Sequence, residues 1–294
     1  MDSRAGTAAM LDAGGATISD ETVTVDGNRI HYLTGGTSGP PLVLLHGGII
    51  DAAHISWGEL LGPLAEQTRV YALDLPGYGT SEMPDGPLTM ESQVDAVRSF
   101  LDTVDIEDPV VAGTSMGGGI AIGLALAHPD CLSQVVALEP FALGSQLPNG
   151  LLTWLLAKVQ VTNHLSVALM RRSRGFVEQS LDGLTADSST LSEATVDRVI
   201  AEVKRPGAGA AFRKFRAAEV TWHGYRTDYS DRVSELSVPV QYVHGAEDDL
   251  LPPRWSERAA ERTPADDLHI LDECGHLAPL ERPGEVAAII RDTL

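Results

Sequence analysis

The chain has 294 residues, of which 43% are hydrophobic and 21% charged, a composition typical of a globular protein and not of a disordered, fibrous or membrane-spanning chain. Its 41 acidic and 21 basic residues give a formal charge of −20, which excludes a broad basic surface for nucleic acid. Only three of the basic residues are lysines, a skew that fits a halophilic source and an acidic mesophilic one equally well.

The amino-terminal residues 1–20 are rich in Gly, Ala and Ser and lack the continuous apolar stretch of a secretory signal. We interpret them as a loose leader. The two cysteines, Cys131 and Cys274, form no disulfide framework and have no metal-ligand spacing to histidines. The sequence therefore predicts a cytoplasmic protein that needs neither a metal nor another cofactor and does not associate with a membrane.

Strands and helices alternate through the first half of the chain. Glu21–Thr34 is predicted as a hairpin that turns at Asp26-Gly27, and the short apolar run Leu42–Leu45 is typical of a strand buried on both faces. The following elements are predicted in order as a helix at Trp57–Gln67, a strand at Arg69–Leu73, a helix at Met90–Val104, a strand at Pro109–Gly113, a helix at Gly119–Ala127 and a strand at Gln134–Leu138. This order predicts an α/β fold with a doubly wound, mostly parallel sheet.

The alternation stops at Pro140 and returns only at the strand-like run Val238–Val243. We expect a core of residues 21–140 and 236–294, with residues 141–235 inserted as a helical cap over the carboxyl-terminal edge of the sheet. Four apolar periodic stretches predict the cap helices: Leu151–Met170, Arg174–Ser180, Ser192–Lys204 and Gly209–Val220. The core is completed by a helix at Arg254–Arg262, a strand at Leu268–Leu271 and a helix at Pro283–Thr293.

One motif lies between a predicted strand and a predicted helix, and it carries the chemistry. Gly113-Thr114-Ser115-Met116-Gly117 fits G-x-S-x-G, in which a serine occupies a sharp turn and the residues two before and two after it come too close for a Cβ. Ser115 is the predicted nucleophile. The other reading of the motif is a glycine-rich packing turn.

A serine nucleophile needs a histidine base and an acid that orients it. Asp248 and His276 each follow a predicted strand, so the order is Ser115, Asp248, His276, with all three at the carboxyl edge of the sheet. Glu139, at the end of the strand before the insertion, is the alternative acid. We favour Asp248 because Gly-x-x-Asp followed by a proline, here Gly245 to Asp248 with Pro252, matches the commoner arrangement of the acid. Glu139 is followed directly by a proline that can simply turn the chain into the insertion.

In these features the chain resembles the α/β-hydrolase superfamily, of the capped kind that includes esterases, lactonases, epoxide and haloalkane hydrolases and carbon–carbon bond hydrolases. The resemblance runs over most of residues 21–294 outside the insertion. Its landmarks are His46-Gly47-Gly48, Asp74-Leu75-Pro76-Gly77-Tyr78-Gly79, Gly113 to Gly118, Gly245 to Asp248 and Gly275-His276. The resemblance implies an oxyanion hole made by the backbone N–H groups of Gly48 and Met116.

The resemblance leaves the substrate open. A serine nucleophile argues against epoxide and haloalkane hydrolysis, and we expect a small or medium carboxylic ester as the substrate. Carbon–carbon hydrolysis of aromatic ring-cleavage products is the first alternative, although Thr114 and Leu277 stand where those hydrolases commonly carry Asn and Trp. The second is a catalytically silent ligand-binding protein of the same fold. Nothing in the sequence indicates the oligomeric state.

Overall fold

The computed structural model describes residues 11–13, 16–146, 166–264 and 266–294. In this part of the chain nine strands form one sheet. They are β1 (Leu11–Ala13), β2 (Ala16–Val25), β3 (Asn28–Gly35), β4 (Pro41–Leu45), β5 (Arg69–Leu73), β6 (Val110–Thr114), β7 (Gln134–Leu138), β10 (Val240–Gly245) and β11 (Asp266–Leu271). Their order in the sheet is β1-β2-β3-β5-β4-β6-β7-β10-β11. From β5 to β11 in this order all neighbouring strands are parallel, whereas β1, β2 and β3 add an antiparallel edge. The predicted mostly parallel α/β sheet is confirmed.

The described residues form the helices α1 (Ala53–Ser56), α2 (Leu61–Ala65), α3 (Met90–Val104), α4 (Met116–Ala127), α5 (Arg174–Asp182), α6 (Glu193–Lys204), α7 (Ala210–Glu219), α8 (Arg254–Ala260), α9 (Ala278–Glu281) and α10 (Pro283–Asp292), besides a helical stretch at residues 166–170. Helices α3, α4 and α8 pack into the core on one face of the sheet, and α2 and α10 pack into the core on the other. A separate short hairpin pairs β8 (Val220–Thr221) with β9 (Gly224–Tyr225).

Strand β4 shows why the central strands are apolar throughout. All five of its residues are buried, and successive side chains enter different cores. Val43 and Leu45 pack with residues of α3 and α4, whereas Leu42 and Leu44 pack with residues of α2 and α10. Because helices cover both faces, the strand has no solvent side and shows no polar alternation. The loops that leave the carboxyl ends of β4, β6, β10 and β11 carry the candidate site.

Two predictions about the first seventy residues differ from the structure. The sheet includes residues before 21, since β2 starts at Ala16 and Ile18 is only 1% exposed where it packs beside Gly35. The single helix predicted at Trp57–Gln67 is instead two short helices, α1 and α2. Pro63 disfavours one continuous helix, because it has no N–H to donate to the carbonyl oxygen of residue 59. The turn between the two helices contains Gly58, where a Cβ would lie 2.3 Å from the carbonyl oxygen of His54.

The segment between β7 and β10 contains α5, α6 and α7, close to three of the predicted helices. It is not all helical, because the β8–β9 hairpin follows α7. Of the predicted helix Leu151–Met170, residues 166–170 are helical, and the rest, with Trp154 and Leu155, lies outside the described residues. Apolar side chains of α5 and α6 pack on Ala52, Ile55 and Leu280 of the core. The division into a core of residues 21–140 and 236–294 and a cap of residues 141–235 stays a prediction.

Candidate active site

Ser115 lies at the turn between β6 and α4 in a backbone conformation that side chains rarely adopt, with φ 54° and ψ −115°. The flanking glycines permit this turn. A Cβ on Gly113 would lie 2.3 Å from the carbonyl carbon of Gly117, and a Cβ on Gly117 would lie 2.3 Å from the carbonyl oxygen of Leu45. The turn is therefore closed to any larger residue at both positions, as the sequence motif requires.

The structure brings Ser115, His276 and Asp248 together from three different loops. The Ser115 Oγ lies 3.0 Å from Nε2 of His276, and Nδ1 of the same ring lies 2.7 Å from Oδ2 of Asp248. A carboxylate only accepts, so Nδ1 carries the proton and Nε2 accepts from the serine hydroxyl. This is the arrangement of a nucleophile, its base and the acid that orients the base.

Asp248 is buried, and its carboxylate accepts several hydrogen bonds. Oδ1 accepts the backbone N–H groups of Leu250 and Leu251 at 2.8 and 2.9 Å, and Nε2 of the buried His244 lies 3.2 Å from Oδ2. Burial alone would raise the pKa of Asp248, but the hydrogen bonds from His244 and His276 hold it well below its usual range. Asp248 therefore stays ionised beside His276.

Gly48 and Met116 lie against each other next to Ser115. A Cβ on Gly48 would be 3.3 Å from the Cβ of Met116, and Met116 opens helix α4, whose first N–H groups have no acceptor within the helix. The positive end of the helix dipole favours negative charge here. Gly48 and Met116 are thus neighbours next to Ser115, and their role as oxyanion donors stays a prediction.

The buried His46 and Tyr78 and the half-buried Asp51 fix the loop that carries Gly47 and Gly48. His46 accepts the N–H of Leu75 at Nε2 (3.0 Å), so Nδ1 donates to the Gly47 carbonyl oxygen at 2.7 Å. Oδ2 of Asp51 accepts the Gly47 N–H at 2.8 Å, and the Tyr78 hydroxyl donates to the carbonyl oxygen of Gly48 at 2.8 Å. His46 and Tyr78 both belong to landmark motifs of the sequence, whereas no sequence signal pointed to Asp51.

Glu139, the alternative acid, is fully buried at the end of β7. Its Oε2 accepts from the Thr114 hydroxyl at 3.3 Å, and Oε1 has no hydrogen-bond partner among the described residues. Burial, reinforced by the charge of Asp248, raises the pKa of Glu139 well above its usual value. The His276 Nδ1 atom contacts Asp248, and the pKa of Asp248 is lowered whereas that of Glu139 is raised, so both observations favour Asp248 as the acid.

Glu281 of α9 is a further buried acid that the sequence did not reveal. Its carboxylate accepts the backbone N–H groups of Gly275 at 3.0 Å and Leu277 at 3.1 Å, the two neighbours of His276. It also accepts the N–H of Ala186, between α5 and α6, at 2.8 Å. One side chain thus anchors both the histidine loop and a loop of the predicted cap.

Two cavities meet at Gly48, Ile49 and Ser115. The first, which we call the aliphatic cavity, extends beneath α5 and α6 and contains Thr114, His276 and the carboxylate of Asp51. Its remaining walls are mostly apolar side chains, among them Ile50, Ile55, Val177, Leu181, Val199, Leu277 and Leu280.

The second cavity, the aromatic cavity, extends from the side of Met116 and lies under α7 and β9. Phe141 is at its centre, with ring centroids 5.8 Å from Phe215 and 4.8 Å from Tyr225 in edge-to-face packing. Phe212, Arg216 and Glu219 complete much of the wall. Phe212 and Phe215, both on the predicted helix Gly209–Val220, line this cavity.

Several other histidines and arginines lie outside the two cavities. His54, His223 and His269 are not among the residues that line the two cavities. Arg174 is exposed and pairs with three acidic side chains, Glu178, Glu193 and Asp197, while Arg171 donates to the backbone carbonyl oxygens of Val203 and Arg205. No set of three or more His, Cys, Asp or Glu side chains within the described ranges is arranged to hold a metal ion. Nor does any described helix have the length and apolar character to cross a membrane.

Comparison with known proteins matches residues 42–289 to the alpha/beta hydrolase family. The 2-hydroxymuconate semialdehyde hydrolase of Pseudomonas sp. strain CF600 is 28% identical over 261 residues, 87% of each chain. The pimeloyl-[acyl-carrier protein] methyl ester esterase of Aromatoleum aromaticum is 32% identical over 271 residues, which cover 87% of this chain and 98% of that protein.

Among solved structures, a meta-cleavage product hydrolase from Pseudomonas fluorescens IP01 superposes with a TM-score of 0.77 at 21% identity. The match covers 92% of this chain and 96% of that one, and at this identity it supports the fold alone. The family match spans most of the chain, including β4 to β11 and the three loops that carry Ser115, Asp248 and His276. The chain therefore belongs to the alpha/beta hydrolase family.

Proposed function

We propose that this protein is a serine hydrolase that cleaves small or medium carboxylic esters through an acyl-enzyme. The observation that carries the proposal is the hydrogen-bonded series from the Ser115 Oγ through His276 to Asp248, placed at the amino-terminal end of α4. The catalytic residues are Ser115, His276 and Asp248, and the oxyanion donors are the N–H groups of Gly48 and Met116.

The reaction follows from these positions. His276 takes the hydroxyl proton as Ser115 attacks the ester carbonyl carbon, and the two N–H donors stabilise the oxyanion. The protonated Nε2 then gives its proton to the departing alcohol, which leaves the acyl group on Ser115. Water, deprotonated by the same imidazole, releases the carboxylic acid. Ionised Asp248 stabilises the imidazolium at both stages.

The surroundings of Ser115 support an ester as substrate. Ester cleavage needs an oxyanion hole and pockets for the two halves of the substrate, and two mainly apolar cavities meet at this serine. We expect the predicted cap over these cavities to admit small and medium groups and to exclude long-chain triglycerides. The 32% identical relative is a methyl ester esterase, which lends further support to an ester as substrate.

Carbon–carbon hydrolysis is the second candidate, favoured by the 28% identity to the 2-hydroxymuconate semialdehyde hydrolase. A dienoate leaving group carries a carboxylate and would depart on the side of His276, which protonates it. The aliphatic cavity on that side holds the carboxylate of Asp51 and no lysine or arginine among its described lining residues. This charge disfavours a dienoate there, so we place the ester first.

An active-site label tests the serine mechanism directly. A fluorophosphonate probe should label the wild-type protein at Ser115, and Ser115→Ala should neither label nor turn over an ester while it keeps the wild-type circular dichroism spectrum. Absence of labelling in the folded wild-type protein would identify a catalytically silent binding protein instead.

A competition between substrates tests the bond that is cleaved. The purified enzyme is offered a short p-nitrophenyl ester and, separately, a ring-cleavage dienoate, and kcat/KM is measured for each. We expect the ester to be preferred. A dienoate preference of about a hundredfold, comparable to strong active-site discrimination between substrates, would reverse the assignment.

A further inference from the structure

A buried histidine outside the two cavities lies between two carboxylates. The side chain of His31, on β3, is buried, with only 6% of the residue exposed. Its Nδ1 atom lies 2.7 Å from Oδ2 of Asp74, directly after β5, and its Nε2 atom lies 2.9 Å from Oδ1 of the half-buried Asp20 on β2. The proposed reaction assigns no role to this group of three side chains, which we call the His31 bridge.

The contacts of the bridge determine the charge of its imidazole. An ionised carboxylate only accepts hydrogen bonds, so both ring nitrogens of His31 must carry a proton to donate to Asp20 and Asp74. A neutral imidazole has a single N–H group and would leave one carboxylate facing a lone pair. Burial alone would lower the pKa of His31, but the hydrogen bond and charge of Asp74, together with those of Asp20, raise it. His31 is therefore an imidazolium with a carboxylate on each side.

The Asp74 carboxylate joins two segments of the chain. Its Oδ1 atom accepts the N–H of Ala53, the first residue of α1, at 2.9 Å, and its Oδ2 atom accepts the N–H of Thr80 at 2.8 Å. The backbone turns tightly around the carboxylate, since a Cβ on Gly79 would clash with it. Asp74 thus connects the start of α1, which follows the oxyanion loop, to the loop of residues 74–80.

The loop of residues 74–80 in turn holds the oxyanion loop. The Leu75 N–H donates to Nε2 of His46, and the Tyr78 hydroxyl donates to the carbonyl oxygen of Gly48. Nδ1 of His46 donates to the carbonyl oxygen of Gly47. Because the carbonyl and the N–H of a trans peptide point in opposite directions, this last contact also sets the direction of the Gly48 N–H. A continuous series of contacts therefore runs from His31 to a predicted oxyanion donor.

Other titratable groups lie near the bridge, and they differ from His31 in charge. His46 accepts an N–H at Nε2 and is therefore neutral, and burial lowers the pKa of His54, which lies within the field of Asp74. Glu82 accepts a backbone N–H of β3 and adds negative charge beside the bridge. Of the positive charges that act on Asp74, that of His31 has the largest effect.

From this arrangement we propose that His31 is a positioning residue for the oxyanion hole, whose positive charge holds Asp74 and through it the loop of Gly48. When the imidazolium loses its proton at alkaline pH, one carboxylate loses its donor and Asp74 becomes a buried charge without its counter-ion. The oxyanion loop is then less firmly held, and kcat falls. The kinetic part of this inference rests on the proposed esterase function, whereas the charge of His31 does not.

The charge of His31 is tested by nitrogen NMR spectroscopy of the nine histidines. The His31 signals are assigned by their absence from the spectrum of the His31→Gln variant. Both ring nitrogens should be protonated at pH 7.5. Asp20→Asn should lower the pH at which the ring loses its second proton, because one opposite charge is removed while the amide oxygen still accepts. A His31 ring with one unprotonated nitrogen at pH 7.5 would contradict the bridge.

The pH dependence of kcat for a short p-nitrophenyl ester tests the positioning role. His31→Gln should lower kcat by roughly 10- to 100-fold and leave KM nearly unchanged, since misplaced oxyanion donors weaken the transition state and not the bound ester. The wild-type enzyme should lose kcat at alkaline pH. Asp20→Asn should move this alkaline limb to lower pH, while the acid limb that reports His276 stays in place.

His223→Gln is the matched control, because His223 is an exposed histidine between β8 and β9. This variant should keep both limbs of the wild-type profile. Titration with a fluorophosphonate counts the active serines, so that a loss of folded protein is not counted as a loss of kcat. An unchanged kcat in His31→Gln, or an alkaline limb that does not respond to Asp20→Asn, would overturn the positioning role while ester cleavage itself stands.

A measurement without substrate keeps the inference testable if no ester turns over. The backbone amide signal of Gly48 is followed by NMR between pH 6 and pH 10, together with the ring signals of His31. One phase of the Gly48 shift should share its midpoint with the His31 ring and should be absent from the His31→Gln variant. A Gly48 signal that titrates identically in the two proteins would show that the charge of His31 does not reach the oxyanion loop.

Discussion

Two buried carboxyl groups at the candidate site have pKa values shifted in opposite directions. Burial alone would raise the pKa of Asp248, but hydrogen bonds from His244, His276 and two backbone N–H groups lower it. Burial and the charge of Asp248 raise the pKa of Glu139, and hydrogen bonds from the Thr114 hydroxyl and the Ala278 backbone do not offset this. The hydrogen bonds to each carboxyl group therefore decide the direction in which its pKa moves.

Asp248→Asn should therefore lower kcat by about 10⁴-fold, because an amide in place of the carboxylate favours the wrong tautomer of His276 and leaves the imidazolium unsupported. Glu139→Gln replaces a neutral acid by a neutral amide of the same shape and should keep kcat within severalfold of wild type. Steady-state kinetics of the two variants decide the acid. A larger loss in Glu139→Gln than in Asp248→Asn would reverse the two roles.

Stability gives an independent measure of the Glu139 protonation state. In the unfolded chain Glu139 loses its proton near its ordinary pKa of 4.5, whereas the folded protein retains it to higher pH. The native state then binds more protons, and the unfolding free energy falls as pH rises above that value. Glu139→Gln should remove this loss, so its melting temperature should fall less than that of wild type between pH 5 and pH 8. Parallel profiles for the two proteins would show that Glu139 is ionised in the native state.

At the level of elements, the central strands of the sheet could be predicted because each of them is a short run of consecutive apolar residues. The run Leu42–Leu45 is buried on both faces as expected, and the glycines that flank Ser115 meet backbone atoms where a Cβ would clash. Apolar spacing alone did not predict the two short helices in place of Trp57–Gln67, because the same spacing fits one helix or two. The signal that could have predicted the break is Pro63, which cannot donate the backbone hydrogen bond of a continuous helix.

The supporting contacts of the site were hidden for a different reason. Glu281 and His244 act through residues that are distant in sequence or through backbone groups, and a single sequence carries no pattern for such contacts. The order of Ser115, Asp248 and His276 could be inferred because each follows a strand of a parallel sheet, whose carboxyl ends share one edge. The distances among them required the folded chain.

Helix α9 gives a prediction at this scale, because its last residue, Glu281, anchors the loop on both sides of His276. Glu281→Gln removes the charge that strengthens three backbone hydrogen bonds and should lower the unfolding free energy by about 2–3 kcal/mol. It should also lower kcat, since the histidine loop loses its support. Urea unfolding and ester kinetics measure the two effects. Glu285→Gln, at an exposed position at the start of α10, is the control and should change neither the unfolding free energy nor kcat. Equal urea midpoints for the Glu281→Gln and Glu285→Gln variants would contradict the anchoring role of Glu281.

For the whole molecule, the dominant feature is the net charge of −20. Several of the exposed arginines already form ion pairs, as Arg174 pairs with three acids and Arg232 and Arg262 pair with Glu235 and Asp231. Such exposed pairs contribute little stability individually, and the acidic excess leaves a net repulsion within the folded surface. Expansion on unfolding relieves that repulsion, so the charge favours the unfolded chain at low ionic strength.

Added salt should therefore stabilise the fold, and the melting temperature should rise between low ionic strength and molar KCl. Because the screening length is already about 10 Å at 0.1 M and about 3 Å at 1 M salt, most of the rise should occur at the low end of the titration. The gain should be smaller at pH 5.5 than at pH 7.5, since protonated histidines reduce the net negative charge. Scanning calorimetry across this grid measures both effects. A melting temperature that is flat or falls with KCl would show that surface repulsion does not limit the stability of this protein. A melting temperature that rises steadily to molar salt, and equally at both pH values, would indicate instead that the salt is excluded from the protein surface.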